Sequence, residues 1–233
     1  MRATNLSVAH AYCRVLPSAI VAIAIVEFVR IFSSHIQLLQ DSGVVPFIVF
    51  DGLPLQAKDK ETARRRSERQ EHLAEAQKQD IGDRKRNKLL SQSAEITYDV
   101  VECIKLCLCQ GIKYLVSPYE SDAQIAFLLK HGYADFAVTE DSDLLVYGCE
   151  KVVVKLALSG EGEYFELNKV LGGLKVTMPQ FVQGCIAAGC DYLKNICGVG
   201  INKAFTFVKS GQLFLELKKR VLQICMKGGL QML

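Results

Sequence analysis

Five acidic residues fall just beyond three short apolar runs. Asp51 follows Val45 to Phe50, Glu120 and Asp122 follow Ile112 to Val116, and Asp141 and Asp143 follow Phe136 to Thr139. Carboxylates brought together repel one another unless cations neutralise them, and an oxygen-only donor set suits Mg²⁺ or Mn²⁺. Two such ions roughly 4 Å apart can activate water and stabilise the leaving oxygen of a phosphodiester. Any one of these acids alone is an ordinary helix cap or turn residue. Asp141-Ser142-Asp143 also lacks the glycine and terminal Glu of a calcium loop. The informative pattern is acid at three strand ends together.

A sheet must bring these residues to one place. The runs at 45–50, 112–116 and 136–139 read as strands, as does Lys151 to Leu156. Between them lie helical patterns such as Ala123 to Lys130, where Ile125, Leu128 and Leu129 share a face. Strands alternating with helices predict a doubly wound α/β domain with a mostly parallel sheet. In such sheets ligands bind beyond the C-terminal strand ends, so residues far apart in sequence converge on one rim. The apolar stretch Ala19 to Val26 is too short to cross a bilayer and runs into Glu27 and Arg30, so it reads as a buried helix. No membrane partner and no cleaved leader are expected.

The charge is local. The 233 residues carry a net +3, yet the segment Lys58 to Lys88 holds eleven of the 28 basic residues against seven of the 25 acidic ones. That is a local +4, leaving about −1 for the rest. With few strong apolar anchors, residues 57–93 read as a long, partly exposed helical excursion, either a solvated salt-bridged helix or a contact for a polyanion. The nine cysteines are scattered and form no Cys-x-x-Cys pair, which argues against zinc or a disulfide framework. A second constellation follows: Gly189-Cys190-Asp191-Tyr192-Leu193 precedes Gly198-Val199-Gly200, an amphipathic helix and Lys203. Backbone N–H groups at such a turn can face a phosphate, with glycine permitting close approach.

Four runs together carry a resemblance: Phe50-Asp51-Gly52, Pro118-Tyr119-Glu120-Ser121-Asp122-Ala123-Gln124, Thr139-Glu140-Asp141-Ser142-Asp143-Leu144 and Gly189-Cys190-Asp191-Tyr192-Leu193. Over about residues 24–215 the chain resembles the flap endonuclease and exonuclease 1 family of 5′ nucleases, the xeroderma pigmentosum group G family. Within it the motifs are similar to the exonuclease 1 branch; the flap endonuclease branch would show Glu-Asp-Met-Asp and Ser-Glu-Ala-Glu. The resemblance implies a PIN-like, mostly parallel sheet flanked by helices, a helical arch and a C-terminal helix-hairpin-helix-type (helix-two-turn-helix) module. It implies a nuclease part at 1–56, the arch at 57–93, a second nuclease part at 94–175 and the DNA-binding part at 176–233.

The same resemblance implies two Mg²⁺ ions, Mn²⁺ serving as well: Asp51 and Glu120 at one, Asp141, Asp143 and Asp191 at the other, and Asp122 near both. Lys58 and Arg65 would steer the scissile phosphate. Gly198, Gly200 and Lys203 would bind the duplex backbone, with a K⁺ ion at the hairpin. The implied partner is DNA with 5′ ends, flaps, nicks or gaps, and the implied setting is nuclear repair, mismatch repair and recombination included. Both ends depart from the pattern. The family's Met-Gly-Ile start is missing, and His10 stands where the first strand's ligand Asp would fall, within Val8-Ala9-His10-Ala11-Tyr12. Leu233 ends the sequence short of the family's core, and Ala188 and Asn195 stand where Ser is usual. The alternative expectation is a catalytically impaired DNA-binding relative or a truncated product.

Overall fold

The computed structural model describes residues 2–4, 19–78, 82–94, 101–102, 104–105, 111–192 and 198–211. The chain divides into two compact units, 1–166 and 167–233. In the first, β1 (Arg2–Thr4), β2 (Pro46–Phe50) and β3 (Lys113–Val116) pair in parallel, Ala3 opposite Phe47 and Ile48 opposite Tyr114. β4 (Ala137–Thr139) and β5 (Lys151–Val154) also pair in parallel, and β6 (Glu163–Glu166) adds antiparallel to β5. β1 runs beside β4, which draws the two sheets together. The mostly parallel α/β arrangement expected from the sequence is present.

Helix spacing explains the packing. α1 (Ala19–Asp41) sets Phe28, Phe32, Ile36 and Leu39 on one buried stripe at intervals of four, four and three residues. Phe28, Phe32 and Ile36 meet Ile48 of β2 and Ile104 in one cluster. α4 (Ser121–Lys130) begins two residues earlier than the apolar pattern marks, which places Asp122 in its first turn. Ile125, Leu144 and Val152 are fully buried. The fourth strand stops at Val154, short of the expected Leu156, because Lys155 takes a left-handed φ of 55° that a strand cannot continue through.

The basic excursion is helical on both sides of its middle: α2 (Asp59–Ala76) and α3 (Asp83–Ser93) pack on one another, and Ala76, Leu89 and Ser93 are their buried residues. Most other side chains there are exposed. The second unit holds α5 (Leu167–Leu174), α6 (Met178–Ala188) and α7 (Ile201–Lys209). α6 starts in a capping box between Thr177 and Gln180, the reciprocal arrangement that satisfies two orphan N–H groups. Gly184 admits the Phe205 ring: a Cβ there would lie 2.6 Å from it. Val199 is buried with Ala187 and Ala204, so the hairpin is anchored to the α6–α7 pair. Among the described residues no helix is long and apolar enough to cross a membrane.

Leu144 is 0% exposed and directly follows Asp143. Leu144→Ala is expected to lower stability by about 2–5 kcal/mol, the cost of an incompletely collapsed cavity, as read by urea unfolding.

Candidate active site

Each acidic residue is set by the backbone just behind it. Asp51 follows β2, and its Oδ1 accepts from the Ser121 N–H at 2.7 Å. It thereby caps α4 from another strand. Glu120 occupies the N-cap position in extended conformation without capping its own helix, and Asp122 lies in the first turn. The orphan N–H groups and positive dipole end of α4 thus face carboxylates. Asp141 is held by its own turn: its N–H donates to Thr139 Oγ1 at 3.1 Å, and its Oδ1 accepts from Asp143 N–H at 3.0 Å. That closes the short 3₁₀ turn Ser142–Leu145, whose Leu144 and Leu145 are buried anchors.

The loops after β2 and β3 interlock. Ser117 N–H donates to Phe50 O at 2.9 Å, Gly52 N–H to Tyr119 O at 2.6 Å, and Leu53 N–H to Pro118 O at 3.1 Å. The Ser117 hydroxyl, in a 3% exposed residue, sits 2.9 Å from Phe50 O and 2.6 Å from Tyr119 O, sharing its hydrogen between them. Lys58 ends the 3₁₀ turn Gln56–Lys58 and extends Nζ to 2.6 Å from Glu120 Oε1.

These groups act on one another. Burial and the like charges of Asp141, Asp51 and Glu120 push the Asp122 carboxyl up from the ordinary 3.8 to about 6, while Lys58 pulls it back. The structure therefore brings Asp51, Glu120, Asp122, Asp141 and Lys58 into one electrostatic field, with Asp143 bonded to Asp141. Arg65 lies two turns along α2, and its Nε donates to Glu61 Oε1 at 2.8 Å. Hydrogen bonds from Arg64 and Arg65 hold the Glu61 carboxyl down at about 2.

Asp191, Gly198, Gly200 and Lys203 belong to the second unit. Asp191 follows α6 after Gly189, whose φ of 116° needs a glycine, and is partly buried. Gly198 has φ of 76°, Gly200 is the N-cap of α7, and Lys203 Nζ donates to Gly198 O at 3.0 Å. The helix thus clamps its own turn through the lysine. His10, Leu193 and Asn195 lie outside the described residues. Sequence reasoning missed the parts played by Ser117, Gly52 and Thr139. Only the small residues beside the acids hinted at close backbone contact.

The donor chemistry fits a hard divalent cation: every ligand candidate is a carboxylate, and their mutual repulsion is what such an ion relieves. Among the described residues no three His, Cys, Asp or Glu side chains converge closely enough to hold one ion as they stand. The fit is therefore one of charge and donor type.

Comparison with known proteins shows the family and the fold. Residues 4–72 match the XPG N-terminal domain and residues 111–191 the XPG I-region. Exonuclease 1 of Xenopus laevis is 36% identical over 192 residues, covering 78% of this chain and 26% of that protein. The chain spans about a quarter of the length of the exonuclease 1 relatives it matches. Flap endonuclease-1 from Methanococcus jannaschii superposes with a TM-score of 0.65 at 26% identity, over 94% of this chain and 74% of that one. The catalytic core of Rad2 in complex with DNA substrate shares the fold, with a TM-score of 0.66 at 23% identity over 89% of this chain and 61% of that one.

A raised carboxyl value has a definite sign in stability. Below about pH 4 Asp122 carries its proton whether the chain is folded or not, and it favours neither state. Between pH 4 and about 6 the folded chain keeps a proton that the unfolded chain has released, so stability falls as pH rises. Above pH 6 the penalty is complete. Asp122→Asn is expected to melt higher than the parent above pH 6 in chelator, with the difference vanishing below pH 4. Thermal unfolding across that range checks it.

Proposed function

From the premise that this chain belongs to the XPG family, we propose that it is the nuclease core of a structure-specific 5′ nuclease of the exonuclease 1 type. It removes nucleotides from double-stranded DNA in the 5′-to-3′ direction and cuts 5′ flaps, by metal-dependent phosphodiester hydrolysis. The observation that carries this reading is that Asp51, Glu120, Asp122 and Asp141 follow the ends of three strands and act on one another, with Lys58 Nζ 2.6 Å from Glu120. The parts are the nuclease segments 1–56 and 94–175, the arch 57–93 and the DNA-binding segment 176–233. The cellular role is nuclear DNA repair, mismatch repair and recombination among its settings.

Asp51 and Glu120 would hold one divalent ion, and Asp141, Asp143 and Asp191 the other, with Asp122 close to both. Mg²⁺ is the expected ion, and Mn²⁺ can replace it. Bound there, the pair supplies an activated water and neutralises charge on the phosphate. The chain's own residues do the rest. Lys58 and Arg65 orient the scissile phosphate, both from flexible stems now resting on Glu120 and Glu61. The α2–α3 arch admits a free or flapped 5′ end. Gly198 and Gly200 bring backbone close to a duplex phosphate, Lys203 adds positive charge, and a K⁺ ion shares that hairpin. Phosphate contacts dominate, so binding falls steeply with salt and depends little on base identity.

One observation favours a second reading. His10 stands in the sequence where the family places its first ligand Asp, and a neutral imidazole lowers the charge available to Mg²⁺. On that reading the chain binds DNA without cutting it.

Cleavage of 5′-labelled recessed-end and flap duplexes in Mg²⁺, Mn²⁺ or chelator separates the two. Cutting that needs metal and falls at least roughly a hundredfold in Asp143→Ala is expected, the scale of losing one strong transition-state stabiliser. Salt-sensitive binding without cutting in either metal leaves only the second reading.

Lys58 gives an independent expectation, because its ammonium competes for Glu120. Lys58→Met should tighten Mn²⁺ binding by up to about tenfold while slowing turnover. Unchanged Mn²⁺ affinity, read by the free-ion spin resonance signal, would show that the ion pair does not compete.

A further inference from the structure

We infer that Gly52 is a positioning residue: by carrying no side chain it lets the loop after β2 lie directly on the loop after β3, and so fixes Asp51 relative to Glu120 and Asp122. The inference rests on the metal-dependent reading of this rim.

A Cβ on Gly52 would stand 1.9 Å from Ser117 O, 2.8 Å from Pro118 O and 2.9 Å from Pro118 C. All three are backbone atoms, so no side-chain rotation relieves the contact. Gly52 is not in the left-handed region, which removes the usual conformational reason for a glycine here. Proximity alone requires it.

Hydrogen bonds on either side show what that proximity holds. Gly52 N–H reaches Tyr119 O at 2.6 Å, and Leu53 N–H reaches Pro118 O at 3.1 Å. Asp51 Oδ1 receives Ser121 N–H at 2.7 Å. Real Cβ atoms essentially never come nearer than 3.0 Å, so an added methyl must part the loops by more than 1 Å from the present 1.9 Å. Asp51 rides on one loop and Glu120 on the other, and a 1 Å misplacement of groups that act together can cost about a hundredfold in rate. Asp51, Gly52 and Leu53 are all exposed, so the shift falls on the rim rather than the core.

The test compares the parent, Gly52→Ala and Ser117→Ala for cooperative melting, Mn²⁺ affinity without DNA, and kcat and KM on a recessed-end duplex at saturating Mn²⁺. Gly52→Ala is expected to melt cooperatively, bind Mn²⁺ at least about tenfold more weakly, and lose about a hundredfold in kcat with KM nearly unchanged. Ser117→Ala removes the hydroxyl bridging Phe50 O and Tyr119 O without adding an atom, and should weaken Mn²⁺ binding in the same direction by less. A folded Gly52→Ala with parental Mn²⁺ affinity overturns the inference, as does a raised KM with kcat intact. If Gly52→Ala does not fold, parental Mn²⁺ affinity in Ser117→Ala overturns it. A parent protein that binds no Mn²⁺ overturns the metal-dependent reading itself, and the inference with it.

Discussion

Like charges held on one rim are the constraint around which the first unit is arranged. Asp51, Glu120 and Asp141 each raise the proton affinity of Asp122, so the four would drift apart if their backbones allowed it. Three devices prevent this. A helix N-terminus offers an N–H to Asp51, a 3₁₀ turn offers one to Asp141, and Lys58 lends a cation to Glu120. Behind each acid stands a fully or nearly fully buried residue: Ile48 before Asp51, Ile125 after Asp122, Leu144 after Asp143. Burial of such side chains contributes roughly 1.5–3 kcal/mol apiece, which offsets part of the repulsion a few residues away. Carboxylate pattern and core pattern are therefore one design, written in adjacent residues.

Strands β2 to β5 were legible because each is a short run dense in apolar residues closed by a polar turn, the local signal of a strand, even where, as in β3, most of its residues are exposed. The acids at their ends were legible for the same reason, since an abrupt change from apolar to acidic is visible without knowing the fold. β1 and β6 were not. Arg2-Ala3-Thr4 is too short for a period, and Glu163-Tyr164-Phe165-Glu166 is flanked by charge; both owe their pairing to neighbours rather than to local preference. The interlock at Gly52 was illegible too, since whether a glycine serves a turn or a close approach depends on what lies opposite. Motif order pointed to Lys58, but no local pattern could show that it pairs with Glu120, 62 positions away.

Local charge also reads differently once paired. The basic excess of residues 58–88 suggested a polyanion contact, yet many of these cations already have partners. Arg64 bonds Glu61 and Glu68, Arg65 bonds Glu61, and Lys85 bonds Glu75 at 2.7 Å. These pairs are exposed, and exposed pairs are worth about 0–1 kcal/mol, so they hold the helices in place without committing the cations. The closely spaced phosphates of a nucleic-acid backbone can displace them at little cost. A segment that looks salt-bridged alone can thus be a phosphate-binding surface in use, and the two readings left open by the charge count are compatible.

The energetics of Asp122 weigh on whether the rim is used. A carboxyl whose folded value rises from 3.8 to about 6 through burial and like charge opposes folding once ionised. Asn in its place would remove that penalty without changing shape, and a stabilising substitution of this kind is readily available where function does not forbid it. Asp141 and Asp143 put two acids in one turn where one suffices to cap it. A protein that had only to grip DNA would gain by shedding them, since each also repels phosphate. Keeping all of them on one rim, with a lysine placed to answer the excess, is the arrangement expected where cations are to be bound. That argues for catalysis over passive binding even with His10 where the resemblance implies a ligand Asp.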